Sequence, residues 1–104
     1  MEYLPEVYQE FLREHSVIAE AYSTLAQACN EAGGFDAKTR ELVQLGVAVG
    51  LSSEGAVKSH ARRAMAAGVS AEGIRGAVLL SLTTAGFPAM IAAMKWADEV
   101  IAKR

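Results

Sequence analysis

Few side chains in this chain could carry chemistry: two histidines, one cysteine and a small set of carboxylates. His60 is the most informative of them. Ala56, Val57, Ala61 and Ala64 lie beside it or three to four positions away, so on a helix the imidazole points to the packed side. Lys58 and Arg62 point elsewhere. A half-buried imidazole can take or give a proton near neutral pH. The same placement suits a hydrogen-bonded core histidine, and residue types alone leave both readings open. Glu41 is the second candidate. It follows Arg40, with Gln44, Leu45 and Ala48 on its side of a predicted helix. A carboxylate there could orient an imidazole and stabilise its cationic form. It could equally be a surface carboxylate favoured near a helix N-terminus. The two are 19 residues apart, and spacing does not pair them.

The other candidates are plainer. Cys29 lies in the Ala-rich stretch from Ala26 to Ala32 and has no second cysteine to resolve a sulfenic acid. It is expected to be a buried small hydrophobe. One cysteine excludes an intrachain disulfide framework and any multi-cysteine metal site, and no metal or other cofactor is expected. His15, beside Glu14 and Ser16, reads as an exposed or capping residue. Met90 and Met94 read as core filler. Lys58, Arg62 and Arg63 form a small basic face, suited to an anionic substrate or a neighbouring chain. Three positive charges in a chain of net charge -2 argue against nucleic acid.

The elements that must position these residues are helices. The chain has 104 residues, 52% hydrophobic and 21% charged, too apolar for disorder and of a length for one domain spanning residues 1–104. Twenty Ala and nine Gly favour close-packed helices over strands. About six are expected, forming an all-α antiparallel bundle. The first starts at Leu4-Pro5-Glu6 and shows Tyr8, Phe11 and Leu12 on one face. The second carries Val17, Ala21, Leu25 and Ala28 and ends at Gly33-Gly34. Asp36 caps a third, Ala37 to about Val49, with Gly50 marking its end. Ser52 or Ser53 caps a fourth that runs to about Ala67, before Gly68. Ser70 caps a fifth carrying Val78, Leu79 and Leu82. Pro88 opens a sixth containing Ile91, Met94 and Trp96, with Lys103-Arg104 favourable at its C-terminal end. The uncharged run from Gly76 to Met94 approaches the length of a membrane span. Gly86-Phe87-Pro88 breaks it, so two buried helices are expected in its place. With no signal-type apolar core at the N-terminus, a soluble, cytoplasmic protein without membrane partners is expected.

From Thr39 onward the sequence resembles the carboxymuconolactone decarboxylase family, which includes the alkyl hydroperoxidase D-like proteins. The resemblance rests on Thr39-Arg40-Glu41-Leu42-Val43-Gln44-Leu45, then Lys58-Ser59-His60-Ala61-Arg62-Arg63-Ala64, then Ala67-Gly68-Val69-Ser70 with Glu72 and Ile74, and finally Gly86-Phe87-Pro88-Ala89. It covers about two-thirds of the chain and is carried by order and spacing more than by any single piece. It implies an all-helical fold and a homo-oligomer, commonly a trimer or hexamer. The peroxidase branch has Cys-x-x-Cys with His four positions later and Glu twelve positions earlier. Counting from His60 places the cysteines at Ser53 and Ala56 and the carboxylate at Glu41. Both thiols are therefore absent, and thiolate attack on a peroxide is not available at those positions.

The decarboxylase branch also lacks the cysteine pair and keeps the His. The resemblance thus implies cysteine-independent acid–base chemistry on a small carboxylated molecule. Glu41 and His60 would be catalytic, and Arg40, Arg62 and Arg63 would be available for substrate carboxylates. Two rivals stand beside it: a hydroperoxide reductase that uses Cys29, and a non-catalytic oligomeric scaffold or ligand binder in which the Glu–His pair is a structural bond.

Overall fold

The computed structural model describes residues 6–103. The expected start at Leu4-Pro5 and the final Arg104 lie outside them. Seven helices follow one another, with no strand among the described residues. They are α1 (Glu6–Glu14), α2 (Ser16–Gly33), α3 (Ala37–Gly50), α4 (Glu54–Ala66), α5 (Ala71–Leu80), α6 (Leu82–Ala85) and α7 (Phe87–Ala102). The all-α expectation holds. The count exceeds six because the backbone breaks at Ser81, leaving Leu82 in the single turn α6 instead of in α5. The long uncharged run is thus divided among α5, α6 and α7. No described helix is long and apolar enough to cross a membrane.

The chain forms two compact units, one up to Phe35 and one from Asp36 on. The second is a helical bundle. Four of its five helices each contribute a stripe to a common core: Leu45, Ala48 and Val49 from α3, Val57, Ala61 and Ala64 from α4, Ile74 and Val78 from α5, and Met90, Ala93, Ala97 and Val100 from α7. These recur at three- and four-residue spacing, as burial of one helical face requires. Five of the twelve are alanine, so the helices approach closely and the core depends on fit more than on side-chain volume. Met94 and Trp96 pack at its margin. Two cross-links join helices at the surface. Arg75 Nε donates to Asp98 Oδ1 at 2.8 Å, tying α5 to α7. Lys58 Nζ reaches Glu54 at 2.8 Å and Glu99 at 3.2 Å, tying α4 to α7.

Caps set the helix ends. Asp36, Ser53 and Ser70 each accept a hydrogen bond from the backbone N–H three residues on, opening α3, α4 and α5. Gly68 (φ +97°) closes α4. The N–H of Val69 reaches the carbonyl of Ala64 at 2.9 Å and that of Gly68 reaches Met65 at 3.0 Å, the paired bonds of a Schellman ending. The end of α3 departs from expectation. Gly50 is still helical, and the left-handed residue is Ser52 (φ +52°). Here the N–H of Ser53 reaches Ala48 at 3.2 Å and that of Ser52 reaches Val49 at 3.0 Å, so the same ending is built two residues late on a non-glycine residue.

The first unit is different. α1 and α2 contain no buried residue. The apolar faces expected on them exist, but Val7, Tyr8, Phe11, Val17, Tyr22 and Leu25 are all exposed. Cys29, expected to be buried, is exposed on α2. The reason is that two helices alone enclose no interior, and an apolar stripe is buried only where another element covers it. His15 is exposed, as expected, and its ring lies 5.0 Å from that of Phe11.

Candidate functional site

Glu41 lies in the core stripe of α3, one turn before Leu45, and is the one buried charged residue among those described, with 6% of its surface exposed. Isolated, a carboxylate there would carry a large desolvation penalty. His60 removes much of it. On α4 the imidazole sits beside Val57, Ala61 and Ala64, and its Nδ1 lies 2.9 Å from Glu41 Oε1. With the carboxylate as acceptor, Nδ1–H is the donor of this bond. The neutral tautomer this selects leaves Nε2 with a free lone pair; the protonated ring has an N–H there instead. One-fifth of the His60 side chain remains exposed, so the ring is fixed at one nitrogen and still partly open to solvent.

The local sequence explains this pairing. α3 and α4 are joined by only three residues, Leu51–Ser53, and pack more extensively on each other than any other pair of helices. The late ending of α3 at Ser52 and the immediate cap at Ser53 set where α4 begins, and hence the depth at which His60 meets α3. Ser53 Oγ accepts from the N–H of Ala56 at 3.3 Å. Ser53 and Ala56 therefore act as a cap and a half-buried methyl at the two positions where thiols would stand in the peroxidase branch.

The basic residues divide. Arg40 approaches the pair: its Nε is 3.7 Å from Glu41 Oε2, and this buried nitrogen has no hydrogen-bond partner among the described residues. Arg62 and Arg63 are half-buried and exposed on α4. Arg63, three residues beyond His60, shares its side of the helix, and Arg62 does not. Lys58, read as part of a basic face, is instead a strap between α4 and α7. Its hydrogen bond to Glu54, followed by that to Glu99, raises its ammonium pKa above the ordinary value. Sequence reasoning missed this strap and the Arg75–Asp98 link. The i,i+4 spacing of Glu54 and Lys58 was the available signal for half of the first. Cys29 belongs to the first unit and Glu41 and His60 to the second.

A separate apolar groove of about 650 Å³ opens between α3 and α5. Thr39, Leu42 and Val43 line one side, and Gly76, Leu79 and Leu80 the other. Neither Glu41 nor His60 lines it. The polar pair and the apolar groove are thus two distinct features of the second unit.

The chain is similar to an uncharacterized protein of Haemophilus influenzae, with 37% identity over 57 residues. That match covers 55% of this chain and 50% of the relative, so it spans about half the relative's length. No solved structure matches the chain. The model of the carboxymuconolactone decarboxylase family matches residues 17–99, which include α3, α4 and both members of the Glu41–His60 pair, and the protein belongs to that family.

Proposed function

We propose that Glu41 and His60 carry acid–base chemistry on a small carboxylated substrate, of the decarboxylase type. The observation that carries this reading is the 2.9 Å bond between a buried carboxylate and a partly exposed imidazole on adjacent helices. Glu41 holds the ring by Nδ1 and stabilises its cationic form, leaving Nε2 to exchange a proton with substrate. In a lactone bearing a carboxylate, loss of carbon dioxide breaks a carbon–carbon bond and leaves the electron pair on the carbon, delocalised toward the lactone carbonyl. Nε2–H of the protonated ring delivers its proton to a carbon of that delocalised system, where the electron pair forms the new C–H bond, and solvent reprotonates the ring. Arg40, with a buried guanidinium nitrogen beside the pair, is suited to hold a substrate carboxylate, and Arg63 lies on the same side of α4 as His60.

The burial of Glu41 supports a second reading. A carboxylate in a core stripe also behaves as a structural partner whose loss loosens α3 from α4. Thiol-dependent peroxide reduction has less support, because Ser53 is a cap, Ala56 a methyl, and Cys29 has no partner thiol in the sequence.

The test offers 4-carboxymuconolactone and related lactone acids to the purified protein. General acid–base catalysis predicts that His60→Ala lowers turnover by about 10²–10⁴-fold. Equal turnover in the variant, or none in the native protein, overturns the catalytic reading. Removing the imidazole leaves the buried Glu41 carboxyl without its hydrogen-bond partner, which costs about 1–3 kcal/mol. Loss of that stability without any activity to lose supports the structural reading. His60→Gln, which keeps a hydrogen-bond donor, separates the two by restoring stability without turnover.

A further inference from the structure

Arg40 stands next to Glu41 in sequence, and adjacent side chains on a helix do not face each other. The Arg40 guanidinium nonetheless turns back to the carboxylate. Its Nε lies 3.7 Å from Glu41 Oε2, longer than a hydrogen bond and within reach of an ion pair. That nitrogen is buried and makes no hydrogen bond among the described residues, an uncommon state for a buried donor. Asp36 also feels the charge of Arg40, but its side chain is engaged by the N–H of Thr39.

The two oxygens of Glu41 thus meet different groups. Oε1 meets Nδ1 of His60 on α4, and Oε2 faces Arg40 on α3. No other charge enters the core among the described residues, because α5 and α7 give it only hydrophobic side chains. Lys58 on α4 is held by Glu54 and Glu99. The two partners of Glu41 differ in permanence. An imidazole is positive in one half of an acid–base cycle and neutral in the other, whereas a guanidinium stays charged throughout. Arg40 therefore favours the ionised form of a carboxylate that burial penalises, at every stage of the cycle.

We infer that Arg40 is a positioning residue of the Glu41–His60 pair. Its fixed charge keeps the proton of the 2.9 Å bond on Nδ1. Without that charge, the cationic ring passes its Nδ1 proton to the buried carboxyl of Glu41. The ring is then neutral, with its remaining N–H at Nε2. That N–H is a far weaker acid than the imidazolium it replaces, so proton delivery to carbon slows. The role acts through Glu41 and leaves the terminal guanidinium nitrogens for a substrate carboxylate. It rests on the acid–base reading of the pair.

Arg40→Met in the full chain, which removes the charge and keeps the reach of the side chain, tests this. The readout is the NMR signals of the His60 ring nitrogens and the Glu41 carboxyl carbon, with the exposed ring of His15 as reference. In mildly acid solution, native His60 should show both nitrogens protonated beside an ionised Glu41. In the variant, Nδ1 should move toward an unprotonated nitrogen and the Glu41 carbon toward a protonated carboxyl. Arg40→Lys, which restores a positive charge, should return both signals toward native values. Signals unchanged in Arg40→Met, or identical in the Met and Lys variants, overturn the inference. Where Arg40→Met fails to fold, Arg40→Gln takes its place. On a lactone acid that the native protein turns over, kcat of Arg40→Met should fall by up to about 10²-fold, the scale of a misplaced catalytic group. A rise in KM with kcat unchanged marks a residue that only grips substrate, and overturns the positioning role. The NMR signals do not depend on turnover. A native protein inactive on lactone acids therefore counts against the acid–base reading, and the ring signals still decide the role of Arg40.

Discussion

The two compact units of this protein are made of similar material and end in different states. Both are helical, both are rich in alanine, and both carry apolar residues at helical spacing. In the unit from Asp36 on, helices α3, α4, α5 and α7 turn their stripes toward one another, and twelve hydrophobic side chains are buried. In α1 and α2 the stripes have nothing opposite them within the unit, and none is buried. An amphipathic pattern states which face can be buried. It does not supply the surface that buries it.

Substitutions in the two cores, one real and one missing, should break or sharpen this contrast. The largest effect is expected in the second unit. Leu45 is fully buried, and Leu45→Ala should cost about 2–5 kcal/mol of unfolding free energy, read by urea denaturation. Tyr22→Ala, on the open face of α2, should cost no more than about 0.5 kcal/mol in dilute protein. Comparable losses would mean that the two units share one core. Hydrogen exchange adds a second reading. Amides of α2 should exchange much faster than those of α3 and α4.

Intermediate effects are expected at the α3–α4 connection, which has no counterpart in the first unit. Removing the Ser53 cap by Ser53→Ala should cost about 1 kcal/mol. Ser52→Gly should stabilise by up to about 1 kcal/mol, because glycine adopts the left-handed backbone of Ser52 without penalty. Thermal unfolding checks both. A Ser52→Gly variant no more stable than the native chain would show that this turn is not strained.

The smallest effect is a pH dependence at the start of α3. Asp36 accepts from the N–H of Thr39 at 2.8 Å, and this backbone hydrogen bond, joined by nearby Lys38 and Arg40, lowers its carboxyl pKa below the ordinary 3.8. A lowered pKa in the folded state gives stability that is present above the ordinary value and lost as pH falls below it. The stability of Asp36→Asn should therefore differ from native most above about pH 5 and converge with it in acid. A difference that persists unchanged to low pH would remove the cap's charge from the account.

Much of the second unit was legible because its signals are local. Asp36, Ser53 and Ser70 announce three helix starts, Gly68 the end of α4, and Pro88 the first turn of α7. The end of α3 was misread because Gly50 is the stronger left-handed former. Packing of α3 against α4 carries the helix past it and places Ser52 at the turn instead. Glu41 and His60 were legible as candidates because each interrupts an apolar stripe with an ionisable group. Their partnership was not legible, since 19 residues of chain allow many separations. Cys29 departs from expectation for the complementary reason: its apolar neighbourhood in sequence is not one in space.

The helical class, most helix ends and the absence of the thiol pair follow from residues close in sequence, because capping, propensity and residue identity act over a few positions. The tertiary structure decided what depends on distance through space. It brought Glu41 to His60, set Arg40 beside them, turned Lys58 into a strap, and left the faces of α1 and α2 open. Each of these turns on which helix lies across from which, and that follows from the lengths of the connections and the fit of small side chains at the helix contacts.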